Sequence, residues 1–103
     1  MATKELKEAV ASELAMAREL PCTELATLGE TGKTVQVTVL GCSYKINTWC
    51  EPVPGDTSGA FAVLTGAWSN SLLGNSKRYF MGFVVSADGT RTDIPESDLW
   101  RYD

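Results

Sequence analysis

The chain has 103 residues, 44% of them apolar and 21% charged, with nine Lys and Arg against thirteen Asp and Glu for a net charge of −4. That usage excludes a disordered or low-complexity scaffold. The lack of a basic stripe weighs against nucleic acid as a partner, since gripping its backbone takes many Lys/Arg–phosphate contacts.

A chain of this length reads as one domain, 1–103, which buries roughly 65% of its unfolded surface and folds without metal or disulfide. Acids concentrate at the front: through Glu30 there are six, against Lys4, Lys7 and Arg18. The three cysteines, Cys22, Cys42 and Cys50, are too few and too odd in number for a secreted disulfide scaffold. The opening MATKELKEAV lacks the apolar core of a signal peptide, and no run approaches the ~20 apolar residues of a membrane span. The expectation is a cytoplasmic protein with reduced thiols and no membrane partner.

Residues 3 to 19 are expected to form an amphipathic helix, with Leu6, Val10, Leu14 and Ala17 on one face. Thr3 is placed to cap it, Glu5 opposes its dipole, and Pro21 stops it. The Ala-rich stripe is narrow and suits close packing on a sheet, or pairing with a second copy of itself. A second short helix is expected from Pro21 to Leu28, capped at Gly29. Residues 1–30 thus form a helical segment packed on a β-region, 34–103.

Thr34 to Leu40 alternates cleanly, with Val35, Val37 and Val39 on one face, and reads as a half-buried strand broken at Gly41. The next strand, Cys42 to Cys50, sets Cys42, Tyr44, Ile46 and Cys50 on one face and Lys45, Asn47 and Trp49 on the other. Trp49 is the residue out of pattern. Glu51 to Gly59 reads as a loop. A third strand, Ala60 to Trp68, is apolar on both faces, as a central strand or one turning a barrel corner at Gly66 would be. Ser69 to Lys77 reads as a second polar loop that carries Leu72 and Leu73. A fourth strand runs from Arg78 to Ser86.

Asp88-Gly89 between two apolar runs is a strong hairpin signal. With these two as the loop, Ala87 pairs with Thr90, Val85 with Thr92 and Phe83 with Ile94. Tyr79, Met81, Phe83, Val85 and Ile94 then share the core face, while Phe80, Gly82, Val84, Arg91 and Asp93 share the other.

The ending DGTRTDIPESDLWRY resembles the closing segment of SH3-like small barrels. The resemblance covers the last third and implies a tight 3₁₀ turn at Glu96-Ser97-Asp98, with Leu99 in the core. Trp100-Arg101-Tyr102 would form a short closing strand. The acidic-aromatic pattern by which signalling SH3 domains hold proline-rich peptides is missing, so the resemblance implies a fold and no ligand. The fold class is therefore α+β: an N-terminal helix and a short second one, then a four- to five-stranded antiparallel sheet forming an SH3-like, partly open barrel. A cystatin-like helix laid across a curved antiparallel sheet is the alternative.

Chemistry is sparsely signalled. Gly29-Glu30-Thr31-Gly32-Lys33-Thr34 mimics a phosphate loop, but Thr27 stands where the first glycine belongs, and helix precedes strand instead of following it. The segment reads as a turn. The chain has no histidine, which removes Ser-His and Cys-His nucleophiles, and the cysteines lack metal-site spacing. No cofactor and no metal are expected.

The candidate contact residues are Trp49, Trp68, Trp100 and Tyr102 at strand ends and loops, with Arg91 and Asp93 as the polar pair. The leading expectation is a non-enzymatic binding module for a protein or small polar ligand, placed by context in a phage or mobile element. The alternatives are a ligand pocket or small enzyme using Asp93, Arg91 and Tyr44 or Tyr79, and a homo-oligomer joined through the N-terminal helix or a sheet edge.

Overall fold

The computed structural model describes residues 4–56, 58–71 and 74–102, with backbone alone at 69–71, 74–78 and 100. Two helices, α1 (Lys4–Arg18) and α2 (Cys22–Leu28), precede five strands: β1 (Lys33–Val39), β2 (Cys42–Pro52), β3 (Phe61–Ser71), β4 (Gly74–Val85) and β5 (Arg91–Asp93). A 3₁₀ helix, Glu96–Tyr102, ends the chain. The strands form one antiparallel sheet in the order β1-β2-β3-β4-β5. This is the α+β arrangement expected, but the sheet does not close into the SH3-like barrel. β1 and β5 are both edges, and no strand forms at Trp100-Arg101-Tyr102, where the 3₁₀ helix continues.

The amphipathic spacing of α1 does what it promises. Leu6, Val10, Leu14 and Ala17 are all buried, and the helix lies on one face of the sheet. Its N-terminal half packs Leu6 and Val10 on Ile46 and Ala67, with Val35, Val37, Val39 and Tyr44 around them. Its C-terminal half and α2 pack Leu14, Ala17 and Leu25 on Cys50, Val63, Phe83 and Val85. Each such large side chain withdrawn from water contributes about 1.5–3 kcal/mol. The expected cap Thr3 lies outside the described residues.

Two buried hydroxyls sit between these clusters. Thr48 and Thr65 face each other across β2 and β3 with their oxygens 2.9 Å apart, so neither is left unsatisfied.

Burial on both faces of the third strand comes from its being the central strand, and pairing continues through Gly66 with no barrel corner there. The expected loop from Ser69 to Lys77 is instead mostly strand. β3 runs on to Ser71 and β4 starts at Gly74, with Ser71 opposite Gly74; Leu72 and Leu73 lie outside the described residues. Polar serines and asparagines read as loop, yet their backbones pair here toward the tip of a long hairpin. A β-bulge falls where Ala67 pairs with Tyr79 but Trp68 pairs with Lys77, so Arg78 is the extra residue.

The last hairpin is one residue out of the expected register. Val85 pairs with Arg91 and Phe83 with Asp93, and Ser86 and Thr90 flank a three-residue loop. The cause is the turn. Gly89 alone adopts a positive φ, 90°, whereas a two-residue Asp-Gly turn needs it at both positions. Side-chain parity has period two, so a single step moves every β5 side chain to the other face. Arg91 and Asp93 join Phe83 and Val85 on the helix-covered face, and Ile94 moves to the opposite one. There a Cβ on Gly82 would meet Ile94 Cδ1 at 3.3 Å.

Candidate functional site

The sheet face away from α1 and α2 carries Thr34, Gln36 and Thr38 of β1, and Ser43, Lys45, Asn47, Trp49 and Glu51 of β2. It continues with Ala62, Leu64, Gly66 and Trp68 of β3, then Phe80, Gly82 and Val84 of β4. The C-terminal 3₁₀ helix packs against β4 and covers one end of this face. Its place beside Glu51 shows in the Tyr102 phenol. Burial pushes that group above its usual range, Arg101 opposes the rise, and Glu51 and Asp98 add to it. Leu99 is buried as expected.

The other end stays open. Thr34, Lys45, Asn47 and Trp68 line a shallow groove of about 290 Å³. Register sets the lining: Lys45 is opposite Trp68, Asn47 opposite Gly66, and Thr34 opposite Asn47. Glycine at 66 gives Trp68 its bed. A Cβ there would lie 2.9 Å from two carbons of the indole, so the ring folds back along its own strand and walls the groove. Behind it stands Trp49, with ring centroids 5.5 Å apart and planes tilted by 54°. That is a favourable offset geometry for two aromatic rings.

The polar groups are arranged as a floor. Thr34 donates its hydroxyl to the side-chain carbonyl of Asn47 at 3.2 Å, which leaves the Asn47 amide N–H groups as donors. Gln36 donates to the Ser43 hydroxyl at 2.7 Å on the same face. Trp49 donates its indole N–H to Glu51 at 2.7 Å and is thereby locked in orientation. Lys45 is exposed and supplies the groove's positive charge. The arrangement offers an aromatic wall, donors in a row beside it, and a cation able to meet a carboxylate or a sugar or peptide oxygen.

The expected site residues therefore divide. Trp49 and Trp68 come together, and Tyr102 stands near them through Glu51. The side chain of Trp100 lies outside the described residues. Arg91 and Asp93 lie on the helix-covered face and not on the opposite one, a correction that follows from the hairpin register. Arg91 reaches under the end of α1 to donate to the carbonyl oxygens of Arg18 and Leu20, with the Cys22 sulfur 3.7 Å away. Asp93 pairs with the Arg18 guanidinium, which also lies 5.0 Å over the Phe83 ring. Lys45, Asn47 and Thr34 were not expected as contacts. Their signal was parity: Lys45 and Asn47 share a face with Trp49 in the bare alternation of β2.

The cysteines stand apart. Cys50 is buried and donates to the Leu25 carbonyl at 2.9 Å. Burial pushes its thiol up, partly offset by a backbone hydrogen bond from Gly29. Cys42 is exposed, and Cys22 is half-buried beside Arg91. Gly29 to Lys33 is the turn from α2 into β1, as the reversed order of elements implied.

Comparison with protein-family models, with curated proteins and with solved structures finds no match to this chain. No helix among the described residues is long and apolar enough to cross a membrane.

Proposed function

We propose that the protein is a non-enzymatic binding module that holds a small polar ligand, or a polar segment of a partner protein, in the groove of Thr34, Lys45, Asn47 and Trp68. The observation that carries this reading is the Trp68 ring laid over Gly66, beside a row of hydrogen-bonding groups and one lysine, on the face that the helices leave uncovered. Aromatic rings give large contact area at small entropic cost, and polar neighbours then set orientation. The enzyme reading built on Asp93 and Arg91 loses support, because both are engaged with the end of α1.

The test is two-dimensional NMR of the indole N–H signals against a panel of mono- and disaccharides, amino acids and short acidic peptides. Binding should shift the Trp68 signal most, and both Trp68→Ala and Lys45→Ala should remove the response while the amide spectrum stays folded. A panel that moves neither indole, or a response that survives both substitutions, would sink the groove as the site.

A further inference from the structure

The two edges of the sheet are built differently. β5 is three residues long, two of them charged, and Pro95 follows it closely. Short, charged, proline-flanked edges resist the addition of another strand. β1 has none of these protections. It runs seven residues, KTVQVTV, with one charge at its start and no proline, and among the described residues no strand pairs beyond it.

The hydrogen-bond phase of β1 follows from its turn. Val39 pairs with Cys42 around the two-residue loop Leu40-Gly41, whose φ values of 51° and 80° fit the mirror-image turn typical of tight hairpins. Val39 and Cys42 are therefore a hydrogen-bonded pair, and alternation makes Val37·Tyr44 and Val35·Ile46 the next ones inward. The N–H and C=O groups of Thr34, Gln36 and Thr38 consequently point away from β2, toward the open edge.

We propose that β1 pairs antiparallel with β1 of a second copy of this chain, about a two-fold axis through Gln36, joining two five-stranded sheets into one. In this register Gln36 faces Gln36 of the partner subunit and Thr34 faces Thr38 of the partner subunit. All three outward-pointing residues then close as hydrogen-bonded pairs. Val35 comes to lie beside Val37 of the partner subunit on the helix-covered face, extending a row of valines that is only half-buried in one copy.

Charge complementarity argues for a second copy over an unrelated strand. Lys33 sits on the helix-covered face, since it pairs with Thr48, and the two-fold brings it opposite Val39 of the partner subunit. At that end of the sheet lies the N-terminal half of α1, whose Leu6 and Val10 pack near Val37 and Val39. Helical spacing puts Glu5 on the β1 flank of α1, opposite Lys7, whose ammonium lies 5.5 Å from the Tyr79 ring of β4. In this register each Lys33 is carried toward the end of the partner subunit's sheet over which the acidic N-terminal turn of α1, with Glu5, lies, and symmetry repeats the match. Lys33 and Glu5 are both exposed in the single chain.

Sedimentation velocity over a wide dilution series tests the pairing. The full chain should sediment as a dimer that dissociates on dilution. Gln36→Pro removes the outward N–H and the exposed side-chain hydrogen bond to Ser43, spares the ladder to β2, and should give a monomer at every concentration with an unchanged circular dichroism spectrum. Lys33→Glu should weaken the dimer about tenfold, and adding Glu5→Lys should restore it. The charge-swap series decides the matter if Gln36→Pro does not fold. A wild-type chain that is monomeric throughout, a folded Gln36→Pro dimer, or a charge swap that restores nothing would each overturn the proposal.

Discussion

The guanidinium of Arg91 donates to the carbonyl oxygen of Arg18, so the shortest strand of the sheet holds the end of the first helix. The last carbonyls of a helix have no partner within it, and a cation placed on them satisfies both their hydrogen bonding and the helix dipole. Arg91 takes a second carbonyl at Leu20, in the bend before α2. Arg18 completes the arrangement by pairing with Asp93 and lying over Phe83.

Arg91→Ala should therefore destabilise the fold by about 2 kcal/mol, since charged hydrogen bonds to half-buried carbonyls are lost together. For a domain of this size that lowers the melting temperature by about 10 °C. Arg91→Lys should recover little, because one ammonium cannot span two carbonyls as the planar fork does. Asp93→Asn should stay within about 0.5 kcal/mol, as its ion pair is largely solvated. Urea melts of the three variants check the ranking. Equal losses at Arg91 and Asp93 would contradict it.

Leu40 sits at φ 51° in the β1–β2 turn, a conformation that costs a side chain of its kind, and its side chain is 71% exposed. Leu40→Asn should raise stability by about 1 kcal/mol by relieving the left-handed strain. The same experiment checks the turn geometry from which the hydrogen-bond phase of β1 is deduced. A loss of stability in the thermal melt would mean that the turn is not of this type.

Gly66→Ala should force the Trp68 ring off its bed, because the new methyl would lie 2.9 Å from the indole. The expected cost is about 1–3 kcal/mol, the range for overpacking. The tryptophan emission spectrum should shift as Trp68 leaves Trp49. An unchanged spectrum with unchanged stability would show that the ring does not lie over Gly66.

The Cys50 thiol is held protonated by burial, so its pKa is higher folded than unfolded. Such a group leaves stability intact below the unfolded thiol pKa of about 8.5. Stability then falls as pH rises above that value, and the loss stops growing once pH passes the folded pKa. Tyr102 acts in the same direction at somewhat higher pH. The alkaline decline in denaturant melts should be shallower in Cys50→Ala than in wild type. Thiol-labelling should modify Cys42 quickly and Cys50 only on unfolding.

Half of the candidate site was legible before the fold. Alternation along β2 put Lys45, Asn47 and Trp49 on one face, and that parity holds. What alternation cannot see is which β3 residue stands across from Lys45, or that Gly66 leaves room for the Trp68 ring. Both depend on a pairing between strands distant in sequence.

The chain by itself determined its local elements. The spacing of Leu6, Val10, Leu14 and Ala17 makes an α1 face that can only be buried. The valines of β1 and the two-sided burial of β3 follow from the polarity of neighbouring residues in the same way. Tertiary structure decided the rest. The loop Ala87-Asp88-Gly89 takes one positive φ instead of two, and that one-residue difference carries Arg91 and Asp93 from the open face to the helix end. Asp-Gly is compatible with either turn, and period-two parity converts the choice between them into a change of face. The fate of Arg91 was thus settled where the strand meets the helix, at the carbonyls of Arg18 and Leu20.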